Sequence, residues 1–246
     1  MIMLSKQVAK TKLGAEDGFV WRGKEVSRVE GLSDAVFAFS VTLLIVSTEV
    51  PKTYDALIER LFDFIPFAAC FLQLMVVWYT QYKFYRRYNL EDAVTTRLTI
   101  ALLFVVLFYT YPLKFVFMSW FTTFRPSSEY LILNGSQMAG LFTIYGVGFI
   151  AVFLIFFLMY RHAYRKREEL ELTETEVWDT RHSMREIILF CGVAALSVIV
   201  ANVVPPDISW LGGPVYSLIG LVSWAHERWS GKRRKEIYSQ SLLANV

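Results

Sequence analysis

The stretch from Ser27 to Pro51 holds the side chains of this sequence that are best suited to binding an ion. Charged residues begin it, hydroxyl residues recur along it and a carboxylate follows near its end: Arg28, Glu30 and Asp34, then Ser33, Ser40, Thr42, Ser47 and Thr48, then Glu49. An ionised group near the centre of a bilayer costs about 2.5–3.5 kcal/mol, so this polarity does not suit a helix surrounded by lipid. We therefore expect the segment to face a hydrated interior, with Asp34 placed near the membrane surface or paired with Arg28.

One stripe of this helix combines small, hydroxyl and apolar residues. At about 100° per residue it carries Ala35, Ala38 or Phe39, Thr42, Val46 and Glu49. A ring of hydroxyls can supply oxygen ligands to a partly dehydrated cation, and apolar rings can gate a pore by excluding water. Alternatively, the hydroxyls donate to the carbonyl one turn earlier and the stripe only packs. The residue pattern by itself leaves both interpretations open.

The elements that must position this stripe are long apolar runs separated by charged stretches. Apolar residues make up 55% of the 246 residues, and a bilayer requires roughly 20 apolar residues per helix. Six runs predict transmembrane helices over residues 31–50, 61–83, 98–121, 138–160, 187–204 and 208–226. The sequence therefore predicts an all-α membrane protein with one six-helix domain over 28–229, an N-terminal segment 1–27 and a basic tail 230–246.

Lysine and arginine predict the orientation of these helices. Basic residues are concentrated before the first run, after the second, after the fourth and after the sixth, whereas the other loops contain only Lys52, Arg60 and Arg125. Because short basic loops remain in the cytoplasm during insertion, both termini are predicted to be cytoplasmic and the protein to reside in the plasma membrane. The basic clusters are thereby explained as topology signals beside the lipid bilayer, and no nucleic-acid partner is predicted.

Three further features carry local predictions. Thr173 and Glu176 have the spacing of a capping box, which predicts that the fifth helix begins before its apolar run. Pro112 predicts a kink in the third helix. Lys114, just beyond it, is expected to extend its ammonium group to the membrane surface rather than to line an ion path.

Two other functional classes have weaker support. A proton- or cation-coupled secondary transporter would use Asp34 and Glu49 as titrating groups, but no acidic pair occurs near the middle of a predicted span. An enzyme would draw on the cysteines and histidines, which show no catalytic or metal-ligand spacing: Cys70, Cys191, His162, His182 and His226. We therefore predict no enzymatic activity, no metal site and no cofactor.

The residues from Arg28 to Asp34, followed by the sequence AVFAFSVTLLIV, resemble a known signature. It is the Arg-x-x-x-Phe-Ser-Asp motif that opens the first helix in the endosomal and lysosomal potassium channel family, transmembrane protein 175 and its prokaryotic homologues. Leu32 stands here in the place of the phenylalanine. Trp78 in the second helix and the basic residues after it add to the resemblance, whereas the histidines that often follow the tryptophan are replaced by a stretch that contains Gln81 and Tyr82.

The resemblance implies a passive potassium channel assembled as a homotetramer, with the first helix lining the pore and potassium as the permeant ion. Such channels lack the Thr-Val-Gly-Tyr-Gly filter, and no such segment occurs here. The resemblance places an apolar constriction at Phe39, Leu43 and Val46 and a selectivity hydroxyl at Thr42. It also implies a polar network, formed by Arg28, Ser33 and Asp34 with Trp78 and either Gln81 or Tyr82. Phe39 stands where that family usually has isoleucine or leucine.

Overall fold

The computed structural model of this chain describes residues 19–46, 52–124, 134–228 and 230. Within these residues the secondary structure is helical. The α-helices are α1 (Arg28–Val46), α2 (Tyr54–Phe62), α3 (Phe64–Tyr88), α4 (Ala93–Phe124), α5 (Gly135–Arg165) and α6 (Glu174–Val203). Two 3-10 segments follow, Pro206–Gly212 and Pro214–Ser217, and they lead into α7 at 218–228.

Five segments are long and apolar enough to cross a membrane. They are Phe64–Tyr88, Ala93–Ser119, Gly135–Arg165, Glu174–Val203 and Pro206–Arg228. The 19 residues of α1, with charged residues only in its first two turns, provide the sixth span. The prediction of an all-helical membrane protein with six spans is confirmed.

Several helix bounds differ from those predicted by hydropathy. The second run divides at Asp63 into α2 and a longer α3. Pro66 lies in the first turn of α3, where backbone N–H groups have no acceptor within the helix, so the missing N–H of proline costs no hydrogen bond. The sixth run, predicted as one helix over 208–226, begins instead with two 3-10 segments. Pro206 and Pro214 lie at the starts of those segments, where proline is tolerated, and they separate the run into short pieces.

The structure bears on two residues of α4 for which the sequence carried local predictions. The helix is continuous through Pro112, and the kink expected there stays a prediction. Lys114 Nζ donates to the Leu44 carbonyl oxygen of α1 at 3.0 Å, and its extension to the membrane surface stays a prediction. That carbonyl lies in the last described turn of α1, where an ammonium group complements the helix dipole.

The packing places α1 on the outside of the bundle. One side of α1 packs against α3 and α4, and α5 packs against α4, α6 and the first 3-10 segment. The inward residues of α1 are Ser33, Phe37, Ser40 and Leu44, all at most 3% exposed. The opposite side of α1 is exposed at the surface of the protomer.

Gly148 of α5 lies against the ring of Tyr109, which is 5% exposed. A Cβ atom at this position would overlap the ring, so Gly148→Ala is expected to destabilise the protein by about 1–3 kcal/mol. Thermal unfolding in detergent measures the effect. Gly140→Ala, in the same helix with nothing within 4 Å of its Cβ position, is the matched control and should leave the midpoint unchanged or slightly higher. Equal midpoints for the two variants would contradict this packing.

One end of the bundle contains ion pairs between the ends of α3 and α5, the starts of α4 and α6 and the segments that connect them. We call it the charged end. Asp92, between α3 and α4, accepts from the backbone N–H of Thr95 at 2.8 Å and contacts His162 Nε2 at 2.5 Å and Lys166 Nζ at 3.2 Å. The capping box predicted for the fifth run is confirmed, because the Thr173 side chain accepts from the Glu176 N–H and Glu176 accepts from the Thr173 N–H. Hydrogen bonds and ion pairs therefore link the connections at the charged end to one another and to the helix starts.

The pKa of Asp92 determines a pH dependence of stability. Burial raises this pKa, but the hydrogen bonds from Thr95, His162 and Lys166 outweigh burial and lower it below the usual carboxyl range. Because the pKa of Asp92 is lower in the folded than in the unfolded state, its ionised carboxylate stabilises the protein at pH values above the unfolded pKa of about 3.9. This stabilisation is lost as the pH falls towards the folded-state pKa. Asp92→Asn, which preserves the cap, should lower the unfolding midpoint at pH 7, and the difference from wild type should shrink below about pH 4. A difference that stays constant down to pH 3 would contradict the assignment.

Candidate functional site

The predicted network residues at the start of α1 meet α3 in two separate contacts. Gln81 Nε2 donates to Ser33 Oγ at 2.9 Å, and Ser33 Oγ donates to the Val29 carbonyl oxygen at 2.8 Å. Both side chains are buried, at 2% and 3% exposure. Of the two alternatives left open by the sequence, Gln81 rather than Tyr82 is therefore the partner of Ser33.

Asp34 is held by a different donor. Trp78 Nε1 donates to its carboxylate at 2.7 Å, and the indole ring stacks on Tyr82 with centroids 5.7 Å apart. The expected pairing of Asp34 with Arg28 is wrong. Arg28 is exposed and forms no ion pair within the described part of the chain. Residues six apart on a helix lie on different faces, whereas Trp78 approaches from the neighbouring helix.

An ion pair between Glu30, in the first turn of α1, and Arg86, in the last turn of α3, was not anticipated from the sequence. Each residue is 7% exposed, and the Arg86 guanidinium also donates to the Gly23 carbonyl oxygen at 2.8 Å and to that of Glu25 at 3.3 Å. Ser27 Oγ accepts from the Glu30 N–H at 3.2 Å, while the Ser27 N–H donates to the Glu30 carboxylate at 3.3 Å. This Ser-x-x-Glu capping box, visible in the sequence, is a signal that could have marked the start of α1.

The segment before α1 continues this connection to α6. Arg22 donates to both carboxylate oxygens of Glu176, at 2.9 and 2.8 Å, and the Val20 N–H donates to the same carboxylate at 3.0 Å. Phe19 is fully buried edge-on against Tyr88, with centroids 5.6 Å apart. Residues 19–27, predicted only as part of a cytoplasmic segment, therefore fasten the start of α1 to α3 and α6.

The predicted pore residues lie on the outward face of α1. Phe39 is 57% exposed, Leu43 is 38% exposed and Thr42 is also exposed. Val46 ends α1, but its side chain lies outside the described part of the structure, as do Ser47, Thr48 and Glu49. We call the surface formed by Ala35, Ala38, Phe39, Thr42 and Leu43 the outward face of α1.

The hydroxyls of α1 all donate to a carbonyl one turn earlier. Thr42 Oγ1 donates to the Ala38 carbonyl oxygen at 2.9 Å, and Ser40 Oγ does the same to Val36 at 2.9 Å. Ser40 is fully buried, whereas Thr42 is exposed, so only the Thr42 oxygen is accessible from outside the protomer. Donation occupies the hydroxyl hydrogen and leaves the oxygen lone pairs for a cation, so the two interpretations of the stripe are compatible at Thr42.

Cys70 and the three histidines have contacts within the protomer, whereas Cys191 is a half-buried free thiol. Cys70 Sγ lies 3.8 Å from the Leu113 carbonyl oxygen, and His162 contacts Asp92. His182 and His226 stack face to face with centroids 4.2 Å apart. No group of three or more potential metal ligands occurs among the residues that the structure describes.

Comparison with known proteins gives consistent similarities. The family model described as "Endosomal/lysosomal potassium channel TMEM175" matches residues 28–109. A potassium channel of Marivirga tractuosa is 39% identical over 211 residues, which cover 81% of this chain and 84% of the relative. The chain is also similar to a crystal structure of a variant of the potassium channel MtTMEM175 in complex with a nanobody fusion. The two superpose with a TM-score of 0.76 at 35% identity, and the match covers 89% of this chain and all of that one. The fold alone is shared with a TMEM175 homologue from Chamaesiphon minutus, at a TM-score of 0.56 and 21% identity over 81% of this chain and 96% of that one.

Proposed function

The chain belongs to the TMEM175 family of potassium channels, and from this premise we propose that four copies form a potassium-selective pore lined by the outward face of α1. The observation that carries the proposal is the position of this face. Its residues lie at the surface of the protomer on a helix whose opposite side is fixed to α3 and α4. A homotetramer with the α1 helices around a shared axis would bring four copies of this face together.

The chemistry of the outward face suits cation passage. The described part of the face carries no charge, and Thr42 alone contributes a side-chain oxygen to it. Four Thr42 oxygens around an axis would replace part of the hydration shell of a potassium ion. Phe39 and Leu43, one turn apart, would form the apolar constriction, and Val46 would extend it.

As part of the same proposal, we place the charged end on the cytoplasmic side of the membrane. It carries the basic residues at the end of α3, Lys83, Arg86 and Arg87, and those from Arg165 to Arg167 at the end of α5. The positive-inside rule places such helix ends in the cytoplasm. Both termini would then be cytoplasmic, and the protein would lie in the plasma membrane. The contacts of Arg22 and Arg86 would fix the cytoplasmic ends of the pore helices.

Selectivity measurements on Thr42 variants test the pore assignment. Thr42→Val retains the side-chain shape but removes the oxygen from all four subunits. The ratio of potassium to sodium permeability should fall by about fivefold or more, since even one lost oxygen contact is worth ~1 kcal/mol. Bi-ionic reversal potentials of the reconstituted protein give this ratio. Ser40→Ala is the matched control, because Ser40 makes the same backbone contact on the buried side of α1. Unchanged reversal potentials for Thr42→Val would remove Thr42 from the pore.

The same recordings separate a channel from the alternative of a coupled transporter. A passive pore reverses at the potential set by the permeant ions alone. Flux that requires a proton or sodium gradient would instead identify a coupled carrier. Chemical cross-linking of the purified protein tests the stoichiometry independently, with four subunits as the expected limit.

A further inference from the structure

A cavity of about 280 Å³ lies on the inner side of α1 at the charged end, away from the outward face. Its lining includes Glu30 and Asp34 of α1 together with Trp78, Gln81 and Arg86 of α3. The cavity therefore lies between the first helix and the helix that fixes it. Its position in the protomer does not depend on whether α1 lines a pore.

Two buried polar atoms of the lining residues have no hydrogen-bond partner among the described residues. Gln81 Oε1, an acceptor, belongs to a side chain that is 2% exposed, and Arg86 Nε, a donor, to one that is 7% exposed. The orientation of the Gln81 amide is set by the donation from Nε2 to Ser33 Oγ, since that hydroxyl donates its own hydrogen to Val29. Buried polar groups are nearly always paired, so the missing partners point to an occupant of the cavity.

The charges around the cavity favour a cation. Two carboxylates face it against one guanidinium, and Arg86 forms its ion pair with Glu30. Asp34 receives only the neutral indole N–H of Trp78, so its negative charge is not compensated by any described group that lines the cavity. Asp34 is also exposed, which provides a route from solvent into the cavity.

We propose that this cavity binds a hydrated alkali-metal cation such as potassium, coordinated by Gln81 Oε1 and the Asp34 carboxylate. Carbonyl and carboxylate oxygens are the ligands that such hard cations prefer. A water molecule in the hydration shell has a second lone pair that can accept from Arg86 Nε, so one occupant satisfies both unpaired atoms. A dry organic ammonium ion would supply donors only and would leave Arg86 Nε unpaired.

Binding would join the start of α1 to α3 through a cation. The Ser33 to Gln81 hydrogen bond already holds the two helices, and the cation would add a second contact through Asp34 and Gln81. The protein is therefore expected to be more stable in potassium than in a large organic cation of the same charge.

Thermal unfolding of the full-length protein in detergent tests the proposal. Potassium chloride is compared with choline chloride at constant ionic strength, and potassium should raise the midpoint by about 2–4 °C. Asp34→Asn retains an acceptor for Trp78 but removes the charge, and it should abolish this difference. Thr42→Val is the control for potassium bound at the pore proposed above, and it should retain the difference.

Crystallography with thallium as a potassium substitute locates the ion. The expected result is an anomalous peak within coordination distance of Gln81 Oε1 and Asp34 in wild type, and its loss in Asp34→Asn. The proposal is overturned by the absence of a peak in the wild-type cavity. It is equally overturned by a potassium effect that persists in Asp34→Asn but disappears in Thr42→Val, or by greater stabilisation in choline.

Discussion

Phe39→Ala is expected to raise potassium flux through the assembled protein about tenfold. Phe39 is the largest side chain on the outward face of α1, and more than half of its surface is exposed. If four phenyl rings narrow the pore, shortening them to methyl groups admits water and lowers the barrier for a hydrated cation. A tenfold rise corresponds to about 1.4 kcal/mol of barrier. Flux is measured in liposomes under a potassium gradient and normalised to the amount of reconstituted protein.

Ile45→Ala provides the matched control for this prediction. Ile45 is on the same helix and equally exposed, at 57%. It lies six residues further along, which places it about 120° around the helix from Phe39. Equal flux in Phe39→Ala and wild type would show that Phe39 is not at the constriction. A comparable rise in Ile45→Ala would show that the pore is lined by a different face of α1.

Arg86→Met is expected to cause the largest loss of stability of the variants considered. It leaves the Glu30 carboxylate buried without its ionic partner, and breaking such a pair typically costs about 3–5 kcal/mol. The Gly23 and Glu25 carbonyl oxygens also lose a donor. The measurement is the midpoint of thermal or denaturant-induced unfolding in detergent.

The double variant Glu30→Met with Arg86→Met separates the charge effect from the other contacts. Removing both partners eliminates the unpaired charge, so part of the loss should be recovered, while the backbone contacts of Arg86 remain missing. Glu168→Ala is the surface control. Its carboxylate is 87% exposed and pairs with Arg167, and such pairs contribute about 0–1 kcal/mol. A double variant no more stable than Arg86→Met would show that the ion pair itself does not account for the loss.

Much of the candidate site could be predicted from the stretch between Ser27 and Pro51. The outward position of Phe39 and Thr42 agrees with the helical stripe, because residues three and four apart share a face of any α-helix. The capping box of Thr173 and Glu176 is likewise a local pattern, and the structure confirms it. Whether the stripe lines a pore is a property of the assembly, and it remains the proposal tested above.

The pairing of charged residues could not be predicted in this way. Asp34 was expected to pair with Arg28 on its own helix, but its donor is Trp78, which is 44 residues away along the chain. The same applies to Glu30 with Arg86 and to Arg22 with Glu176. Each pair joins different parts of the chain, and its formation depends on the register and rotation of packed helices rather than on sequence spacing.

The sequence by itself determined that this protein is helical and crosses a membrane six times, because a bilayer requires apolar runs of fixed length whose backbone is satisfied within each helix. It also determined the family, through the charged motif that opens the first helix. Only the tertiary structure decided which carboxylate meets which donor, that Lys114 bonds to α1, and that the last span begins with 3-10 segments. Those outcomes depend on contacts between helices, and side chains distant in the sequence become neighbours only after the helices have packed.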